Sequence, residues 1–193
     1  MKIDTVRNQV PLFLTIVVLA LAWLVLQPLA SPLIGQDRKS LPLTPSDAEG
    51  PYWKSGSPER ETLYRPGDRG EKIHVSGRVL DNSGKAISRA KIDIWQTDAE
   101  GKYDNSGFGY RSHIFGNSAG HYSFKTVKPG VYPSRTPHIH VKISTADGRN
   151  LTTQLYFPDY AEHNRRDFLY NKKQNVTWKS QTQAVFDFVL RAR

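Results

Sequence analysis

"KIHVSGRVLDNSGKAISRAKIDIWQ", residues 72–96, is the stretch that decides the fold class. Ile73, Val75, Gly77 and Val79 share one parity, and Ile92, Ile94 and Gln96 share another. Side chains of an extended chain alternate between two faces, so a period of two reads as strand. "DNSG" between the runs supplies turn residues. Moving outward, "HYSFKTVKPGVY" (121–132) and "HIHVKISTADGRNLTTQLYF" (138–157) repeat short strands around Pro-Gly and Asp-Gly breaks. Several strands with no long helical pattern between them predict an all-β fold, an antiparallel β-sandwich. "TQAVFDFVLRAR" (182–193) fits a strand or a short helix, and pattern alone does not choose.

The two ends of the chain differ from this pattern. Val10–Ala30 carries no charge and approaches the roughly 20 residues that span a hydrocarbon layer. It predicts an N-terminal membrane-anchor helix within residues 1–35; a cleaved signal peptide and a buried helix are the alternatives. Lys2 and Arg7 before the run, against Arg38 and Lys39 after it, give a weak orientation contrast. The expected location is a membrane-anchored chain with its domain outside the cytoplasm, or a secreted or periplasmic chain after cleavage. Residues 36–70, rich in Pro, Gly and Ser, read as a connector that becomes an extended arm, and 71–193 as the compact domain.

Composition removes other classes. The chain of 193 residues has no cysteine, so it forms no disulfide and offers no thiolate as nucleophile or ligand. A formal charge of +9 invites a nucleic-acid reading, but the basic residues are dispersed. The tightest group, "NRRDFLYNKK" (164–173), matches no nucleic-acid fold signature, so no nucleic-acid partner is expected and the charge reads as a solvated basic face.

Chemistry-bearing residues concentrate in "YPSRTPHIH" (132–140). In "HIHVKI", His138, His140 and Lys142 fall on one face and Ile139, Val141 and Ile143 on the other. Two same-face imidazoles fit a metal site and also fit surface or hydrogen-bonded histidines; spacing does not separate the two. Tyr132 follows the turn "KPG", and Tyr103 lies in "DAEGKYDN", another turn. Each tyrosine alone reads as a core or interface side chain. Ionised, both would be hard oxygen donors suited to Fe(III).

Taken in order, "EGPYW", "VSGRVLDNSGKAISRAKIDIWQTDAEGKYD", "YSFKTVKPGVYPSRTPHIHVKI" and "LTTQLYFPD" resemble the intradiol ring-cleavage dioxygenases, the family of protocatechuate and catechol dioxygenases, over roughly residues 44–170. The resemblance implies a non-haem Fe(III) cofactor, a catecholic substrate and O2 as partners, and ring cleavage to a cis,cis-muconate-type dicarboxylate. It implies Tyr103 as the tyrosine that stays on iron, Tyr132 as the one substrate displaces, and His138 and His140 as the histidine ligands. Arg135 matches the family's arginine three positions before the first histidine, and Gln154 its glutamine near the substrate. Only Pro133 to Pro137, five residues, separate Tyr132 from His138, where the better-known members carry an insertion, so a more open pocket and larger catechols are expected. The long helical dimerisation region of catechol dioxygenases is absent, and no oligomeric state is carried over. Tyr52 of "EGPYW" reads either as bringing the arm to the pocket or as an aromatic clamp. The alternative function is a membrane-tethered β-sandwich binding domain without ring-cleavage activity, since fold does not set function.

Overall fold

Among the described residues, nine strands and one short α-helix follow in the order β1 (Lys72–Asp81), β2 (Lys91–Trp95), β3 (Arg111–Phe115), β4 (His121–Val127), β5 (His138–Ser144), β6 (Asn150–Tyr156), α1 (Ala161–Arg166), β7 (Thr177–Trp178), β8 (Gln183–Val185) and β9 (Phe188–Leu190), with a 3-10 turn at Lys172–Gln174 before β7. The structure is a computed structural model and describes residues 40–132 and 135–193. One sheet runs β4-β1-β8-β7, with β9 also pairing β1, and the other runs β3-β2-β5-β6. Most pairs are antiparallel, while β1 pairs β8 and β9 in parallel. The "DNSG" turn forms as read: Asp81 Oδ1 accepts from the Ser83 and Lys85 amides, at 2.9 and 3.0 Å, and Gly84 takes φ 86°. The undecided C-terminal stretch is two strands rather than a helix.

Alternation builds the core between the sheets. Val75 and Val79 of β1, Ile92 and Ile94 of β2, Phe124 of β4, Ile139, Val141 and Ile143 of β5 and Leu155 of β6 are all buried there. Each contributes about 1.5–3 kcal/mol by leaving water. Gly77 shares the parity of this face for another reason. A Cβ at Gly77 would stand 1.8 Å from the Phe186 carbonyl oxygen, where the edge partner of β1 changes from β8 to β9. Gly77→Ala is therefore expected to cost about 3 kcal/mol, read as a lower urea midpoint at an unchanged denaturant slope.

The opposite face of the β3-β2-β5-β6 sheet positions the site. Arg111 pairs with Trp95, Trp95 with His140, and His140 with Gln154, so one row of side chains crosses all four strands. A sandwich usually leaves its outer face in water. Here Trp95, Arg111, His138, His140, Gln154 and Tyr156 are buried because the arm lies over them. The arm is held by its backbone: the Asp47 amide donates to the Thr152 carbonyl (2.9 Å), the Pro45 carbonyl accepts from Thr153 Oγ1 (2.8 Å), and the Ala48 carbonyl accepts from Gln154 Nε2 (2.9 Å). Further along, the Arg60 amide donates to the His113 carbonyl on β3 and the Leu63 amide to the Lys125 carbonyl on β4. That crossing covers one edge strand of each sheet, β3 and β4, which would otherwise present unpaired backbone.

The expected fold class needs one correction. Among the described residues no helix is long and apolar enough to cross a membrane. α1 has 6 residues, about 9 Å of helix, against the roughly 20 residues a bilayer requires. The N-terminal anchor helix, the membrane as partner, and the membrane-based location are therefore not retained. The residues on which that anchor was expected, 1–35, lie outside the described residues.

Candidate metal centre and active site

His138 and His140 project from β5 onto the arm-covered face, 5% and 3% exposed. His138 Nδ1 lies 2.6 Å from the Thr136 carbonyl, which can only accept, so the network assigns the proton to Nδ1 and leaves the Nε2 lone pair free. That Nε2 lies 3.0 Å from His140 Nε2. The His140 ring stacks on Trp95, with centroids 4.8 Å apart and planes 6° apart, and a Cβ at Gly50 would stand 3.5 Å from its Cε1. His140 Nδ1 is buried without a partner. Burial pushes His138 down to about 4, with the Arg135 charge adding to the effect. Burial, then His138 and Arg135, holds His140 well below the usual imidazole range. Both rings are neutral near pH 7, the state in which imidazole binds a metal.

Two turns bring the tyrosines together, and glycines make the approach possible. A Cβ at Gly101 would stand 2.1 Å from the Val131 carbonyl oxygen, and one at Gly130 would stand 2.3 Å from the Ala99 carbonyl oxygen. The Gly130 amide donates to the Asp98 carbonyl at 2.8 Å. Thus "GKY" and "KPGVY" touch backbone to backbone, and the Tyr103 and Tyr132 rings sit 5.8 Å apart at 77°. Tyr52 joins them from the arm. Its ring stacks on Tyr103 at 4.0 Å and 14°, and its hydroxyl lies 2.8 Å from the Tyr132 hydroxyl. Burial raises the Tyr103 phenol, opposed by Arg135 and Arg111. The hydrogen bond to Tyr52 raises Tyr132, with burial second.

Arg135 connects the two halves. Its Nε donates to Asp167 Oδ2 at 2.9 Å, and one Nη donates to Gln154 Oε1 at 2.6 Å and to the Tyr156 hydroxyl at 3.1 Å. Asp167, its carboxylate 1% exposed, also accepts from the Thr136 amide at 2.9 Å. The Arg135 charge acts on Tyr103, Tyr132, His138 and His140 alike. The fold thus pairs Tyr103 with Tyr132, His138 with His140 and Arg135 with Gln154, and the Arg135 charge reaches both tyrosines and both histidines.

Four participants were not read from sequence. Trp95 and Arg111 reach the row through strand register, which one sequence does not display. Asp167 sits inside the stretch read as a basic group. Tyr156 had a usable signal, because it shares the parity of Gln154 two residues earlier on β6.

Residues 48–191 match the family described as "Dioxygenase" (Dioxygenase_C). The protocatechuate 3,4-dioxygenase alpha chain of Pseudomonas putida is 33% identical over 153 residues, 65% of this chain and 75% of the relative. A catechol 1,2-dioxygenase of Acinetobacter guillouiae is 31% identical over 140 residues, 58% of this chain; the chain spans 46% of that relative's length. Among solved structures, the dioxygenase domain of a dioxygenase carbohydrate-binding protein fusion from Streptomyces sp. SirexAA-E superposes with a TM-score of 0.75 at 37% identity, covering 79% of this chain and 100% of that one. The intradiol ring-cleavage dioxygenase of Tetranychus urticae, 23% identical with a TM-score of 0.69 over 77% of this chain and 94% of that one, shares the fold. With residues 48–191 inside the matched family and the identities and superposition just given, this chain belongs to the intradiol ring-cleavage dioxygenases, non-haem Fe(III) enzymes that cleave catecholic rings with O2.

Proposed function

We propose that this chain holds Fe(III) through Tyr103, Tyr132, His138 and His140, and opens substituted or larger catechols to cis,cis-muconate-type dicarboxylates. The observation that carries the reading is the 3.0 Å spacing of the two Nε2 atoms. Two nitrogens bound at about 2.1 Å, a right angle apart on one metal, stand about 3.0 Å from each other. The Thr136 carbonyl on His138 Nδ1 is the kind of outer partner that orients a ligating imidazole. Among the described residues no group of three or more His, Cys, Asp or Glu could hold a metal, so further protein donors must be of another type. Phenolates of Tyr103 and Tyr132 fit, since hard oxygen donors and neutral imidazoles together suit a ferric ion.

Ferric iron held there would supply a Lewis acid for the catechol and an electron acceptor that makes the ring reactive toward O2. The protein groups do the rest. Tyr132 Oη would take one substrate proton, and the Tyr52 hydroxyl stands 2.8 Å away to bond the phenol so formed. Tyr103, stacked beneath Tyr52, stays in place. Arg135, fixed by Asp167, stabilises negative charge that develops on the ring. Gln154, held between Arg135 and the Ala48 carbonyl, orients the substrate without titrating. The arm excludes water from the histidines, which strengthens these interactions.

Tyrosine variants test the division of labour. Tyr103→Phe is expected to weaken iron binding before substrate is added. Tyr132→Phe is expected to retain iron, lose part of the visible phenolate-to-iron band and bind catechol more slowly in anaerobic stopped flow. Wild-type colour, binding rate and product formation in Tyr132→Phe would remove it from the ligand set.

A further inference from the structure

Arg111 is a buried charged group for which the proposed chemistry has no use. It opens β3, faces Trp95 in the row that continues to His140, and is 1% exposed. Among the described residues it makes no ion pair with a carboxylate. A guanidinium taken out of water needs its donors satisfied, and three backbone carbonyls do this. Nε and one Nη donate to the Tyr52 carbonyl at 3.2 and 3.1 Å, and the other Nη donates to the Asp104 carbonyl at 2.5 Å and the Gly109 carbonyl at 3.4 Å. Its carbon lies 5.8 Å from the centre of the Tyr103 ring.

Those carbonyls belong to segments far apart in sequence. Tyr52 is in the arm; Asp104 and Gly109 bracket the loop that follows Tyr103. The loop is also tied from within, because the Asp104 carboxylate accepts from the Gly107 and Gly109 amides, both at 2.8 Å. A rigid loop and the arm therefore meet on one planar fork, with the Tyr103 ring stacked on Tyr52 between them. A lysine at this position would keep the charge but, as a point donor, could not hold both segments in the same geometry.

The geometry points to Arg111 as a positioning residue that clamps the arm to the Tyr103 loop and so presets the Tyr103 and Tyr132 phenols for the metal. This rests on the ligand set proposed above. The Arg111 guanidinium bonds neither histidine and acts through Tyr52 and Tyr103.

The test compares Arg111→Lys with the wild-type chain and with His140→Ala. In metal-free protein, hydrogen exchange at the amides of residues 52–57 and 104–109 is expected to accelerate in Arg111→Lys while circular dichroism stays unchanged. Competition with a chelator is expected to show iron affinity lowered about 10- to 100-fold, the usual cost of losing an outer partner of a metal site. The phenolate-to-iron band is expected to shift, and Arg111→Met to lose more affinity than the lysine variant. A lower unfolding midpoint in Arg111→Lys with wild-type affinity and band would mean a purely structural residue and would overturn the proposal. If His140→Ala keeps its iron, the ligand set itself is wrong and the Arg111 proposal falls with it. If His140→Ala loses iron while Arg111→Lys matches the wild type, only the Arg111 proposal falls.

Discussion

His138→Ala and His140→Ala are each expected to lose more than about 100-fold in iron affinity, beyond what removal of an outer partner costs, and with it ring cleavage. The two imidazoles supply the paired nitrogens of the site, 3.0 Å apart on one strand, and among the described residues no third His, Cys, Asp or Glu stands by to replace either. The sandwich should survive. Both side chains lie on the arm-covered face, whereas the sheet-to-sheet core is made by Ile139, Val141 and Ile143 on the other side of β5. His140→Ala opens space between Trp95 and Gly50, a cavity cost of about 2–3 kcal/mol, and frees no charged partner. Metal analysis paired with far-UV circular dichroism separates loss of ligand from loss of fold. Wild-type iron content in both variants would refute the histidine assignment.

Arg135→Met is expected to fail in stability and in catalysis together. Its removal leaves the Asp167 carboxylate buried without its cation, and breaking such a pair from one side costs about 3–5 kcal/mol. The Thr136 amide bond to Asp167 softens that loss and should keep the chain folded at room temperature. The same substitution removes a charge that reaches both tyrosines and both histidines, so turnover should fall about 100- to 1000-fold, on the scale of losing one electrostatic donor. Arg135→Lys should recover part of the stability and little of the rate, because one ammonium cannot reproduce the bonds to Asp167, Gln154 and Tyr156. Urea titration and steady-state rates on a simple catechol measure the two effects separately. A methionine variant with unchanged rate would remove Arg135 from the chemistry.

What was legible in the sequence follows from which interactions leave a side-chain pattern. "HIHVKI" shows in its alternation that two imidazoles share a face, and the strand forms where that alternation puts it. The arm left no such mark. It is held through carbonyls of Pro45, Ala48 and Tyr52, and any residue type carries a carbonyl, so residues 36–70 read as a connector and extended arm with none of its contacts visible. The meeting of Tyr103 with Tyr132 depends on Gly101 and Gly130 admitting each other's turns, a contact between positions about thirty residues apart. Gly77 illustrates the reverse: the parity was right, but the position serves the Phe186 carbonyl and not the core. Resemblance to a family supplied the tyrosines and Gln154 where periodicity was silent, while Arg111 and Asp167 required the register and the ion pair to be seen.

The product reports most directly on the proposed ring cleavage. Iron-loaded protein is mixed anaerobically with a panel of catechols of increasing size, labelled dioxygen is admitted, and the products are weighed by mass spectrometry. The expected result is iron-dependent formation of a dicarboxylate cleaved between the two hydroxyl-bearing carbons, with both atoms of the label retained and with bulky ring substituents tolerated. A semialdehyde from cleavage outside that bond, or catechol recovered intact from fully iron-loaded protein, would contradict it.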